Sequence, residues 1–241
     1  MANLKTTDAN LLPEPIKALA SFDWGQDAKL LKPIDEAVVE ARSDADRKEL
    51  AASLAAVLAT DASRAAKDYV CRKLSLIGSA SVVPSLAALL GDEDLSSSAR
   101  YALERMTCPE ASAAMRAALP KTSGQMKAGV ANSLGKQRDA ASAGALIGLL
   151  TDADAAIVGA AAAALGAIGT VEAASALRGF HAKSPANLRV VATDACLECA
   201  SQLAAAGKKA DAMKLYGALG NESQPKYVRD AAQSAMKAAG G

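Results

Sequence analysis

Internal repetition is what most constrains this chain. Thr60-Asp61-Ala62, followed by Val70, Leu74 and Ile77-Gly78, recurs 91 residues later as Thr151-Asp152-Ala153, Ala161, Leu165 and Ile168-Gly169. Ala80, Leu86, Leu89-Leu90, Asp92 and Asp94 recur 60 residues on as Ala140, Leu146, Leu149-Leu150, Asp152 and Asp154. Leu134-Gly135 recurs 31 residues on as Leu165-Gly166. These offsets share one period of about 30 residues, the length of a supersecondary unit that buries its apolar face only by stacking on its neighbours. A linear array is expected, and since such arrays have no fixed core size, residues 1–241 are read as one domain. Within it, 1–59 supply an N-terminal cap and first repeats, 60–206 the regular array, and 207–241 a slightly irregular last repeat.

The unit is helical. Aromatic residues make up 3% of the chain, so its 51% apolar fraction must be packed from Ala, Leu, Val and Ile. Strand formers never cluster, and good helix formers fill nearly every window. Apolar residues recur at helical spacing, as in Leu30, Leu31, Ile34, Val38 and Ala41. Helices are expected over 11–22, 28–42, 44–59, 62–77, 80–90, 93–106, 109–119, 122–136, 140–150, 152–168, 171–183, 185–206, 208–219 and 225–239. The loops between regular helices are short, which makes neighbours antiparallel. Gly78, Gly91, Gly169, Gly207 and Gly220 fall where left-handed C-caps belong. Pro109, Pro185 and Pro225 fall where a first helical residue belongs. Asp61, Asp92 and Asp152, like Ser43-Asp44, sit where a side chain accepts orphan N–H bonds. Trp24, the only tryptophan, is expected to cover the open end of the first repeat.

Paired helices at this period, a turn ending in Ile-Gly or Leu-Gly, and Leu-Leu-x-Asp before the next helix resemble the HEAT-like repeat, including the subclass named after phycobilisome lyases. Phe22 with Gly25-Gln26-Asp27, Val70-Cys71-Arg72-Lys73-Leu74, Ala99-Arg100-Tyr101-Ala102-Leu103-Glu104, Asn132-Ser133-Leu134-Gly135 and Tyr227-Val228-Arg229 are similar to landmarks of an uncharacterised bacterial HEAT-repeat group. The resemblance implies an all-α fold, a right-handed α-α superhelix (alpha solenoid) of about seven helical-hairpin repeats. It also suggests proximity to carbohydrate-active systems. Many such repeats carry a Val-Arg pair at the start of the second helix. Here Leu188-Arg189 and Val228-Arg229 keep it, while Lys67-Asp68 and Val158-Gly159 do not. The stretch from Gly207 to Tyr216 is similar to a tetratricopeptide first helix.

The residue types argue against several chemistries. Lys plus Arg number 27 against 26 Asp plus Glu, so the chain has no general attraction for phosphate backbones, and no nucleic-acid partner is expected. One histidine, His181, cannot supply a di-iron site, and Cys196-Leu197-Glu198-Cys199 lies inside a helix and lacks two further zinc ligands. No metal and no cofactor is expected. The four cysteines are read as packing thiols. There is no phosphate loop or nucleophile elbow. The run 155–171 is too short and too rich in Ala and Gly to insert into a membrane. Residues 1–20 lack the apolar core of a signal peptide, so a native start at Met1 implies the cytoplasm and a trimmed leader implies export.

A surface remains as the functional element. The second helix of each repeat is expected to line a concave face that binds a protein partner or a neighbouring domain, with the chain a non-enzymatic monomer. The candidates are Arg72, Lys73, Arg100, Tyr101, Glu104, Lys127, Asn132, Arg189 and Asp194. Against this, Arg100 and Tyr101 have stems that pack between repeats and Asn132 can bond a backbone carbonyl. A carbohydrate-binding accessory domain and a bilin lyase or isomerase are the alternatives; scarce aromatic platforms count against the first.

Overall fold

A computed structural model of the protein describes residues 14–221 and 224–240, all of whose regular elements are helical. The polar segment 1–10 and the start of the first expected helix lie outside the described residues. The chain divides into two compact units, 1–122 and 123–241.

The first unit contains α1 (Glu14–Ser21), α2 (Lys32–Glu40), α3 (Asp44–Val57), α4 (Arg64–Ile77), α5 (Val83–Ala87), α6 (Ser96–Arg105) and α7 (Pro109–Ala118). Odd-numbered helices pack on odd ones and α4 packs on α6, while α3, α5 and α7 also touch their even-numbered neighbours. The result is two layers with an aliphatic seam. Leu54, Val70, Leu74, Leu86, Leu103 and Met115 are fully buried in it, and each such side chain removed from water contributes about 1.5–3 kcal/mol.

The second unit contains α8 (Gly124–Lys136), α9 (Ala143–Gly148), α10 (Ala155–Ile168), α11 (Val171–Lys183), α12 (Arg189–Ala205), α13 (Lys209–Leu219) and α14 (Lys226–Gly240). Here α10 lies between α8 and α12, and α11 between α9 and α13. Leu134, Leu146, Leu165, Leu177 and Leu203 are fully buried. The repeated Leu-Gly pairs mark where helix backbones meet. A Cβ added at Gly135 would lie 2.6 Å from the Ala164 Cα, and one added at Gly166 would lie 2.9 Å from the Ala195 carbonyl oxygen.

Repeated sequence also builds repeated turns. The Asp92 carboxylate accepts the Asp94 N–H and the Asp152 carboxylate accepts the Asp154 N–H, both at 2.9 Å. These aspartates organise the turn ahead of a helix rather than cap it. Asp154 caps α10 by accepting from Ala156, and Ser63 caps α4 by accepting from Ala66. The turn at Asp92 delays α6 to Ser96, three residues beyond its expected start at Glu93. Ser43 forms a capping box with Asp46 on α3.

Several local expectations are corrected. Of the five glycines expected to be left-handed, Gly169 (φ 65°) and Gly207 (φ 75°) are so, while Gly78 (φ −66°) and Gly220 (φ −80°) are not, and Gly91 also lacks a positive φ. Gly78 serves close approach instead, since a Cβ there would collide with the Met106 side chain and the Leu74 carbonyl oxygen. Pro109 occupies the first position of α7, but Pro185 and Pro225 stand one residue ahead of their helical turns. Trp24 does not cover the first repeat: it is 67% exposed, in a turn where Asp23 accepts its N–H.

His181 is buried on α11, with Nε2 3.2 Å from the Thr193 hydroxyl. Burial lowers its pKa, and the Arg189 charge lowers it further. The folded chain therefore takes up this proton less readily than the unfolded chain. Stability from a neutral His181 is intact above about pH 6.5 and declines as the pH falls toward the lowered folded value. Thermal midpoints should consequently drop more steeply from about pH 8 to about pH 5 in the wild type than in His181→Gln. Parallel curves would contradict this assignment, which is simplified by the presence of a single histidine.

Candidate interaction groove

The even-numbered helix layer of the first unit carries a surface groove. Helical spacing puts Asp68, Arg72, Ser75 and Leu76 along one face of α4, and Ser97, Ser98 and Tyr101 along the facing side of α6. Together with Lys73 they line a groove of about 520 Å³.

Its charges are largely answered from within. Arg72 bonds the Asp68 carboxylate at 2.6 Å, and the Ser98 hydroxyl donates to the other oxygen of Asp68 at 2.5 Å. Lys73 pairs with Asp35 of α2 at 2.5 Å. The Tyr69 hydroxyl donates to the same Asp35 oxygen at 2.7 Å, and the Lys73 ammonium sits 4.8 Å from the Tyr69 ring centre. Desolvation pushes the Asp35 carboxyl up, but the bonds from Lys73 and Tyr69 outweigh it and hold the pKa below its ordinary value. Burial and then the Asp35 charge push the Tyr69 hydroxyl well above its ordinary range. This cluster ties α2 to α4 and fixes the Lys73 stem at the edge of the groove. It was not foreseen: Asp35 reads in the sequence as an ordinary solvated residue, and Tyr69 carries no distinguishing pattern.

Two apolar side chains stand in the groove with large exposed surfaces, Leu76 at 60% and Tyr101 at 46%. The Arg105 guanidinium lies 5.6 Å from the centre of the Tyr101 ring. At that range a cation over a ring restrains both groups.

The other sequence candidates separate by role. Arg100 is half-buried on α6; desolvation lowers its pKa and the nearby Glu104 carboxylate works in the opposite direction. That placement is the packed one rather than the exposed one. Lys127 and Asn132 lie on α8, and Arg189 and Asp194 on α12, all in the second unit. Arg189 is committed to structure, since its guanidinium donates to the His181 carbonyl at 3.0 Å and the Ser184 carbonyl at 2.8 Å. Arg229 does the same for the Gln224 carbonyl at 3.0 Å. The two retained Val-Arg-type pairs thus close the turn preceding their own helices. Asn132 and Asp194 are exposed.

The thiols of Cys71, Cys196 and Cys199 are free and buried, and burial raises each pKa to about 12. A thiol so held is a poor nucleophile and a poor metal ligand. Among the described residues no group of three or more His, Cys, Asp or Glu side chains is placed to hold a metal ion. Among the same residues no helix is long and apolar enough to cross a membrane.

Helices paired and stacked in this way define an all-α repeat fold of the HEAT-like type. Residues 112–197 match the family model described as HEAT repeats. The archaeal HEAT-like repeats protein of Thermococcus onnurineus NA1 is structurally similar, with TM-score 0.54 and 10% identity over 98% of this chain and 98% of that one. An engineered protein aligns with TM-score 0.45 and 18% identity over 86% of this chain and 96% of its own. A designed armadillo repeat protein in complex with the peptide (KR)4 aligns with TM-score 0.35 and 16% identity over 95% and 99%. No curated protein matches the chain.

Proposed function

We propose that the chain is a non-catalytic interaction module that receives a segment of a protein partner in the groove between α4 and α6. Helical-repeat folds of this type characteristically present extended surfaces for binding. The supporting observation is the groove's composition: Leu76 and Tyr101 stand exposed among side chains whose charges are already matched, as in Arg72–Asp68 and Lys73–Asp35. Matched charges lower the cost of desolvating the floor on binding, while an aromatic side chain and a nearby arginine are the residue types that dominate interface energies.

The test is affinity capture from lysate and from periplasm with the wild type and with Leu76→Glu combined with Tyr101→Glu. Both positions are exposed, so helix content and melting should not change, which Arg100→Glu could not promise. A specific partner should be retained by the wild type, lost by the double variant, and rebind when purified. Purified partners that bind both forms equally would rule out this groove.

A further inference from the structure

Resting on that reading, the structure also indicates the chemistry of the segment. Leu76 lines the α4–α6 groove and also a second cavity of about 290 Å³, whose other walls include Asp44, Arg47 and Lys48 of α3 and Ser79. The two cavities therefore meet at one exposed leucine. Their interior cations are neutralised, Arg72 by Asp68 and Lys73 by Asp35. The cations at the two ends are not. Arg47 uses its Nε to hold the Ala41 carbonyl at 2.9 Å and, among the described residues, forms no ion pair. Among the described residues Lys48 is exposed with no ion pair, and Arg105, in the last turn of α6, lies beside the Tyr101 ring. Asp44 is the opposing carboxylate in the second cavity, at the first turn of α3, where the helix dipole already engages it.

We infer that the surface running from Arg47 and Lys48 across Leu76 to Tyr101 and Arg105 is a docking site for an acidic amphipathic peptide segment, one apolar side chain flanked by carboxylates. The apolar side chain packs between Leu76 and Tyr101, and carboxylates on either side of it reach Lys48 and Arg105. Charge complementarity carries this choice of occupant, because Arg47 and Lys48 outnumber Asp44 in the second cavity and Arg105 adds a cation beside the Tyr101 ring, while the chain as a whole is nearly neutral, at +1. Such an arrangement steers association and selects sign more than it adds raw affinity.

Fluorescence anisotropy of short labelled peptides tests this directly. One peptide carries a central leucine flanked by glutamates, one the same leucine flanked by lysines, and one a serine in place of the leucine between glutamates. The acidic leucine peptide should bind, weaken as salt rises, and bind about tenfold less tightly to Lys48→Glu with Arg105→Glu, and to Leu76→Ser. The other two peptides should bind at least about tenfold more weakly than the first. Circular dichroism of the variants, all at exposed positions, confirms that they remain folded. Equal binding of the lysine peptide, indifference to the variants, or occupation of the surface by a second copy of this chain, seen as a concentration-dependent rise in mass, would overturn the assignment. If the acidic peptide fails while a purified partner still depends on Leu76 and Tyr101, only the acidic chemistry is wrong. If no partner depends on those two residues, the groove itself is wrong.

Discussion

Leu165→Ala is expected to lower the stability of the second unit by about 2–5 kcal/mol, read as a shift of the denaturant midpoint at constant slope. Leu165 is fully buried on α10, the helix that packs against both α8 and α12. Truncation removes the transfer energy of the side chain and leaves a cavity whose walls are two other helices. Backbone contact at Gly135–Ala164 and at Gly166–Ala195 already sets the spacing of those helices, so they cannot collapse freely. A loss below about 1 kcal/mol would mean that α10 is not packed as described.

Gly135→Ala provides the opposite probe, filling a space where Leu165→Ala empties one. Within a helix, alanine is favoured over glycine by about 1 kcal/mol, so helix propensity alone predicts stabilisation. The Ala164 Cα only 2.6 Å from the new Cβ reverses that expectation, because backbone cannot move aside as a flexible side chain can. Overpacking of this kind costs about 1–3 kcal/mol. Gly179→Ala, on exposed α11 surface with nothing within 4 Å, is the control and should stabilise by about 0.5–1 kcal/mol. Opposite signs for the same substitution separate backbone approach from propensity. The same sign at both sites would refute the close contact.

These two expectations rest on features the sequence already displayed, and the contrast with the groove shows where such reading stops. The spacing that pairs Leu134-Gly135 with Leu165-Gly166 is a packing rule repeated along the chain, so it appears as text. Leu74 and Leu165, matched across the repeat, are both fully buried for the same reason. Turn chemistry was legible in kind but not in detail. Asp92 and Asp152 were recognisable as ordering residues, yet whether a carboxylate caps a helix or closes the turn before it depends on backbone angles at the following two residues. Gly78 was recognisable as necessary, but its role is set by Met106 rather than by its own φ.

Among surface residues, the helix that carries each one was legible and its environment was not. Arg72, Lys73 and Tyr101 line one groove on α4 and α6. Asp35 meets Tyr69 and Lys73 across more than 30 positions, a pairing between different repeats that no local pattern announces. Arg100 differs from Tyr101 by one position on the same helix, and that rotation is enough to half-bury it.

The cysteines give the fold a built-in timer. Cys71 lies in the first unit and Cys196 and Cys199 in the second, each shielded and held protonated, so an alkylating reagent reaches any of them only when its surroundings open. With the half-buried Cys108 changed to serine, the rate of modification at Cys71 clocks opening of one end of the chain and that at Cys199 clocks the other. Identical rates would reveal a single cooperative event along the whole chain, and distinct rates two that proceed on their own schedules. An array assembled from near-copies of one short unit thus carries, in the few places where the copies differ, the labels needed to watch its parts come apart.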